Sequence, residues 1–250
     1  MATHTIYFPD LRRGGEPQPP GTLVAIAGEE AHHAWRVKRL DVGHTVRLVD
    51  AKGAWTDATV SRLYKQGREW AMDLSLAQTH VSPVTLPIVH VLAAAPKGDR
   101  LSEMIDQLSQ VGAASWTPLV CERSVVEPRE AKLERLHRIA IEAMKQCGRT
   151  HALAINPAIE FKEFWRSGHA SVIIADASGA PVMSFARTGF SDAPVFLLIG
   201  PEGGFSAGEI EHARSHGARI ASLGVHTMRI ETAAAIGAAL LMAMDRSREA

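Results

Sequence analysis

Two short stretches near the end of the chain hold the residue types best able to do chemistry. The first, Leu197-Leu-Ile-Gly-Pro-Glu-Gly-Gly-Phe-Ser206, leaves an apolar run and enters a helical one. Gly200, Gly203 and Gly204, with one proline, make a tight backbone whose amides can approach a ligand closely. Ser206, followed three residues later by Glu209, has the spacing of a capping box. A sharp turn that needs only small residues would use the same composition. The GxGxxG spacing is absent and no Gly-Lys-Ser/Thr follows, which excludes a dinucleotide fingerprint and a P-loop. The second stretch, Leu223-Gly-Val-His-Thr-Met-Arg-Ile-Glu-Thr-Ala233, sets Arg229, Glu231 and Thr232 beside a helix start. A carboxylate there can accept a proton and a guanidinium can stabilise developing negative charge. Equally, Thr232 or Glu231 can cap the helix, and Arg229 can simply pair with Glu231.

Both stretches join a strand to a helix, and in open parallel sheets ligands bind at the carboxyl ends of strands. After Pro83 the sequence supplies such a sheet. Apolar runs at 87–95, 116–120, 171–176, 194–200 and 220–223 read as strands. Helical spacing predicts helices over 101–111 (ended by Gly112), 133–144, 207–216 and 233–244. That alternation predicts an α/β fold with helices on both faces. Before residue 80 the pattern differs. Short strands are expected at 21–26, 45–50 and 58–63, with turns at Gly43 and 50–53 and one helix over 28–37, which together suggest a small β-barrel. Two domains are therefore expected, 1–80 and 81–250.

Composition narrows the function less. Lys plus Arg equals Asp plus Glu at 27 each, so bulk charge announces no polyanionic partner. A local basic strip suffices for RNA phosphates, and Arg36, Lys38 and Arg39 beside Trp35 form one, with Arg12 and Arg13 as possible additions. An ordinary core tryptophan next to a solvated basic face fits the same residues. No signal peptide or membrane-spanning run is read. Cys121 and Cys147 lack metal-ligand spacing, and the adjacent His32 and His33 point in different directions. No metal and no membrane are expected, and the location expected is the cytoplasm.

Taken together, GPEGGFSAGEIE and LGVHTMRIETA resemble the C-terminal signature of the bacterial family that methylates N3 of a uridine in 16S ribosomal RNA. The likeness continues upstream through Lys97-Gly-Asp-Arg-Leu101, Thr117-Pro-Leu-Val-Cys-Glu-Arg-Ser124, Glu142-Ala-Met-Lys-Gln-Cys-Gly-Arg149 and Glu30-Ala-His-His-Ala-Trp-Arg-Val-Lys-Arg-Leu40, so it covers nearly the whole chain. It implies a PUA-like RNA-binding barrel followed by a SPOUT domain with a deep trefoil knot. It implies S-adenosylmethionine as cofactor, wrapped by Leu198, Ile199, Gly200, Gly203, Gly204, Leu223, Gly224, Met228, Thr232 and Ala233. It further implies a homodimer and a 16S rRNA substrate within an assembled small subunit. His226, Ile230 and Gln110 depart from the family's usual residues.

Uridine N3 carries a proton between two carbonyls, so its lone pair is unavailable until that proton leaves. Glu231 is the candidate base and Arg229 the candidate for stabilising charge on the uracil oxygens. Arg123, Gln146 and Arg149 are candidates for RNA contact alongside Arg36, Lys38 and Arg39. Two other readings stay open: the same fold acting on transfer RNA or large-subunit RNA, and a non-catalytic RNA-binding dimer.

Overall fold

Apolar residues that alternate along each strand divide the second half of the chain into two faces. In β9 (Val89–Ala93), Val89, Val91 and Ala93 join one buried cluster while Leu92 joins another. In β14 (Val195–Ile199), Val195, Leu197 and Ile199 point one way and Leu198 the other. Strands buried on both faces belong to parallel sheets covered by helices. The computed structural model, which describes residues 4–125, 133–169, 171–187 and 193–244, contains that sheet. Its order is β11 (Ala154–Ile155), β10 (Ser115–Val120), β9, β14, β13 (Val172–Pro181), β15 (Arg219–Ser222), with β12 (Ile159–Glu160) on β10. Every pairing in it is parallel.

The helices follow from the same periodicity. Residues of α2 (Arg100–Val111), α3 (Leu133–Cys147) and α6 (Ile230–Ala243) fill the first cluster. Those of α4 (Phe161–Phe164) and α5 (Ala207–Ser215) fill the second. α2 stops at Gly112, whose φ of 100° is the left-handed end that glycine tolerates best. The expected α/β fold with a parallel sheet is the one observed.

The chain divides into two compact units, 1–84 with 144–152, and 85–143 with 153–250. Where the sequence suggested one cut near residue 80, the chain crosses three times, because 144–152 returns to pair with the first unit. That unit holds a six-stranded sheet. Its order is β1 (His4–Tyr7), β5 (Thr45–Val49), β6 (Ala54–Gln66), β7 (Glu69–Leu76), β4 (Leu23–Ala27), with β8 (His80–Val81) on β6. β1 lies parallel to β5 and the other pairs are antiparallel. Ile6, Val24, Ile26, Val46, Leu48, Met72 and Leu74 form its core. The helix expected over 28–37 is one α turn, Glu29–His32, running into a wider π turn, His33–Val37.

Candidate active site

β9, β14, β13 and β15 run parallel, so the loops after them share one edge of the sheet. β13 reaches that edge irregularly. After Ala175 the chain makes a detour over 176–179 and resumes at Ala180, opposite the same Ala221 that Ala175 faces. Asp176 closes the detour by accepting from Ser178 N at 2.9 Å and Ser178 Oγ at 2.6 Å. Gly179 lies against the backbone of β15, so close that a Cβ there would fall 2.4 Å from Ile220 C and O.

The glycine-rich loop after β14 is held from both ends. Gly204, at φ +67°, donates to Pro201 O at 2.8 Å and closes the turn. Gly200 packs beneath the buried Phe205 ring. The capping box is present: Ser206 Oγ accepts from Glu209 N at 3.2 Å, and Glu209 Oε2 accepts from Ser206 N at 2.8 Å. The other oxygen of Glu209 accepts from Glu122 N at 2.9 Å, and Arg123 donates to Gly203 O at 2.8 Å. The loop after β10 thus braces the glycine loop. Arg123, a candidate for RNA contact, is engaged there.

Glu209 is buried and its carboxylate satisfies two backbone donors, Glu122 N and, through the capping box, Ser206 N. Its replacement by alanine should cost roughly 2–3 kcal/mol, since buried donors lose an ionised acceptor. Urea titration of the variant measures this; a midpoint equal to wild type would show that water replaces the carboxylate without loss.

The second loop meets the first. Gly237 of α6 has the side chains of both Leu197 and Leu223 in contact, at 2.8 and 3.2 Å from where a Cβ would stand. Met228 folds its methyl over Gly224, and Val225 at the loop tip is 95% exposed. Neither of the simple roles for the Arg-Ile-Glu-Thr segment is what is found. Arg229 occupies the N-cap position of α6 without a side-chain capping bond, and both it and Thr232 are exposed. Glu231 faces Arg100 instead of Arg229. Arg100 Nη1 lies 4.0 Å from Glu231 Oε2, and Arg100 Nη2 lies 4.0 Å from Glu202 Oε1 of the glycine loop. Glu231 is 6% exposed, yet Oε2 has no hydrogen bond among the described residues. Such an atom forgoes solvation unless a ligand supplies a donor.

The sheet edge therefore brings together Leu198, Ile199, Gly200, Gly203, Gly204, Leu223, Gly224, Met228, Arg229, Glu231, Thr232 and Ala233. It adds Arg100, Glu202 and Gly237, which sequence reading gave no role. Lys97-Gly-Asp-Arg100 follows β9 at the same edge, and the strand-end rule already pointed there. The remaining candidates lie in the first unit. Arg36, Lys38 and Arg39 are exposed, and Arg36 stands 5.7 Å from the Trp70 ring. Lys65 lies 4.2 Å from that ring, and Trp35 meets it edge-on at 4.6 Å. Gln146 is exposed and Arg149 half-buried. Arg12 pairs with the buried Asp50 at 2.6 Å and is not part of an open strip.

Cys121 sits beneath the bracing loop. Burial pushes its thiol up to about 12, with Glu209 and then Glu160 adding to the effect and a Ser124 hydrogen bond opposing it. Since the thiolate is the reactive form, iodoacetamide at pH 8 should label the exposed Cys147 and spare Cys121. Peptide mass spectrometry reads this, and equal labelling would mean that the loop after β10 opens.

A ribosomal RNA small subunit methyltransferase E from Synechocystis is 28% identical over 229 residues, covering 90% of this chain and 74% of that protein. The protein of the same name from Aquifex aeolicus is 28% identical over 245 residues, covering 95% and 98%. Among solved structures, a Legionella pneumophila protein in complex with the bound cofactor SAM superimposes with a TM-score of 0.80 at 27% identity, over 97% of this chain and 98% of that one. The sequence model of the RNA methyltransferase domain matches residues 84–242, and the chain belongs to that family.

Proposed function

We propose that this protein methylates N3 of a uridine in 16S ribosomal RNA of the small subunit, with S-adenosylmethionine as methyl donor, in the cytoplasm. One observation carries the reading: two strand-end loops converge at Gly237 beside Glu231, a buried carboxylate with an unbonded oxygen. The residues fit the cofactor. Gly203 and Gly204 leave the loop backbone accessible, Met228 offers an apolar cover, and no side chain at the N-cap closes the start of α6. The relatives named for small-subunit rRNA methylation and the SAM-bound Legionella protein support the same assignment.

S-adenosylmethionine supplies an electrophilic methyl on its sulfonium. Glu231 Oε2 accepts the uridine N3 proton, which frees the nitrogen lone pair for attack. The exposed Arg229 stabilises the negative charge that this leaves on the uracil oxygens. Arg100, set between Glu202 and Glu231, keeps the two loops in register and compensates their charge. The target base must be unstacked to reach such a pocket.

The first unit is proposed as the PUA-like RNA-binding barrel. Arg36, Lys38 and Arg39 beside Trp35 and Trp70 combine cations for phosphates with rings for bases. The trefoil knot is proposed from chain order, since β15 lies at the sheet border whereas α6, which follows directly, packs on the central strands β9 and β14. A homodimer is proposed from α6. Its inner residues are buried, but Ala233, Ile236, Ala239 and Leu240 leave an apolar stripe partly exposed for a second copy to cover.

Mass spectrometry of 16S rRNA from a deletion strain is the test. One methylated uridine should be lost and should return with the wild-type gene. Unchanged 16S rRNA, with loss of a methyl group from transfer or large-subunit RNA, would transfer the activity to that target. No change in any RNA would leave only an RNA-binding dimer.

A further inference from the structure

The surface that carries Arg36, Lys38 and Arg39 has a second wall, the hairpin formed by β6 and β7. Its two-residue turn, Gly67-Arg68, is permitted by Gly67 at φ +65° and sets Lys65 opposite Trp70 across the strands. Lys65 Nζ lies 4.2 Å from the centre of the Trp70 ring, the Arg36 guanidinium lies 5.7 Å from it, and Trp35 meets it edge-on at 4.6 Å. Trp70 is half-buried against the core of the first unit. Its carbonyl accepts from Gly28 N at 3.0 Å, where the helical segment begins. Hairpin and segment are therefore tied together at this ring.

The backbone of that segment is unusual at two places. His33–Val37 is a π turn, and Arg39 stands at φ +56°, one of two non-glycine residues at positive φ among those described. Such turns, and left-handed residues that carry side chains, cost conformational energy and gather at functional sites. The segment keeps its shape because Ala31 and Ala34 are buried, Leu40 packs on the same core, and Leu40 N donates to Ala34 O at 3.1 Å. Its outer residues Arg36, Lys38 and Arg39 are exposed, as are Lys65 and Arg68 on the hairpin. Among the described residues none of these cations has an ion-pair partner. Only Asp41 and Glu69 lie within two residues of them, so cations outnumber carboxylates along both stretches.

An ammonium resting on a half-open ring is a replaceable cover. A nucleobase stacked on the same ring is held more strongly than a surface cation, and the phosphate that arrives with it gives the displaced ammonium a new partner. The base must be unpaired, because in a duplex both its faces are covered by neighbouring bases. Trp35, edge-on to Trp70, and the core behind it keep the ring in place when the cation leaves.

We propose that the β6–β7 hairpin completes the RNA surface of the first unit: Trp70 seats one unpaired base of the substrate, and Lys65 moves from the ring to the adjoining phosphate. The assignment rests on the rRNA reading above. To the cations of the helical segment it adds the hairpin, Lys65 and an exchange at the ring.

The test uses the full-length protein and a 16S rRNA fragment that contains unpaired residues. Anisotropy across a salt series follows affinity, and quenching of tryptophan emission follows stacking. Trp70→Phe keeps a ring, so affinity should stay within about three-fold of wild type while the part of the quench due to Trp70 disappears. Trp70→Leu should bind about ten-fold more weakly, the order expected for one lost base stack. Lys65→Gln changes an exposed position and so guards against a fold effect at Trp70. It should flatten the log K against log salt slope by about 0.7, the value for one single-stranded phosphate contact. Calorimetric affinity for S-adenosylhomocysteine should stay unchanged in all three. A quench that survives Trp70→Phe in full, or a salt slope unmoved by Lys65→Gln, overturns the proposal, since a purely structural cross-strand pair would alter only the urea midpoint. A fully paired duplex that binds as tightly as the fragment, without quenching, also overturns it. Wild-type protein that binds S-adenosylhomocysteine but no ribosomal RNA would sink the rRNA reading itself, a result distinct from failure of the hairpin.

Discussion

Glu231→Gln should lower the turnover number for uridine methylation by about 10²- to 10⁴-fold, the usual contribution of a positioned base. S-adenosylhomocysteine affinity should stay within a few-fold of wild type. The substitution keeps the side chain's shape at a position only 6% exposed, so packing against the sheet is preserved. It removes the one property the mechanism needs, an oxygen able to take a proton. Single-turnover methylation of a 16S fragment and calorimetry separate the two effects. A variant that binds and turns over normally would remove Glu231 from proton transfer. One that loses both binding and turnover would make Glu231 a structural partner of Arg100, which stands 4.0 Å away. Arg100→Ala distinguishes these further: a structural pair should give comparable losses on either side, whereas a base needs its carboxylate more than its neighbour.

Much of this arrangement is legible in the sequence, and the reason is local. Strands buried on both faces have to be continuous apolar runs, and β9 and β14 announce themselves that way. Helix ends announce themselves through Gly112 and the Ser206–Glu209 box, because the chemistry of an end is confined to a few neighbouring residues. The two glycine-bearing loops were visible for the same reason. What stayed hidden depends on partners distant in sequence. Nothing local in 144–152 says that it pairs with Gly53 across roughly a hundred residues, and nothing in β1 says that it lies parallel to β5. Arg100 is an ordinary helix-start arginine until Glu202 and Glu231 converge on it. Arg229 beside Glu231 suggests a pair, but the cation that stands 4.0 Å from Glu231 is Arg100.

Gly179→Ala should be among the most damaging single-atom additions in the second unit, costing roughly 3 kcal/mol, at the upper end of ordinary overpacking. Its backbone dihedrals are not the obstacle, since Gly179 does not lie at positive φ. Space is the obstacle. The added carbon would stand 2.4 Å from Ile220 C and O and 2.5 Å from Ala221 N, whereas carbon contacts settle at about 3.5–4.0 Å. Those atoms belong to a paired strand, so they cannot swing aside as a side-chain tip would. Either the 176–179 detour unhooks from Ala221, or β15 withdraws by about 1 Å. Both outcomes displace Leu223 and the loop to Arg229 relative to the glycine loop on β14, so affinity for S-adenosylhomocysteine should fall together with stability. Gly208→Ala is the control: near the start of α5 a Cβ meets only Ser206 Oγ at 3.8 Å, and alanine in a helix is neutral or stabilising by up to about 1 kcal/mol. Urea titration and calorimetry on the two variants decide the matter. A Gly179→Ala protein as stable as wild type, but with weakened cofactor binding, would show that the detour yields and that its register with β15 sets the spacing of the two loops. Full stability with full affinity would mean that the loops take their spacing from Gly237 and α6 alone.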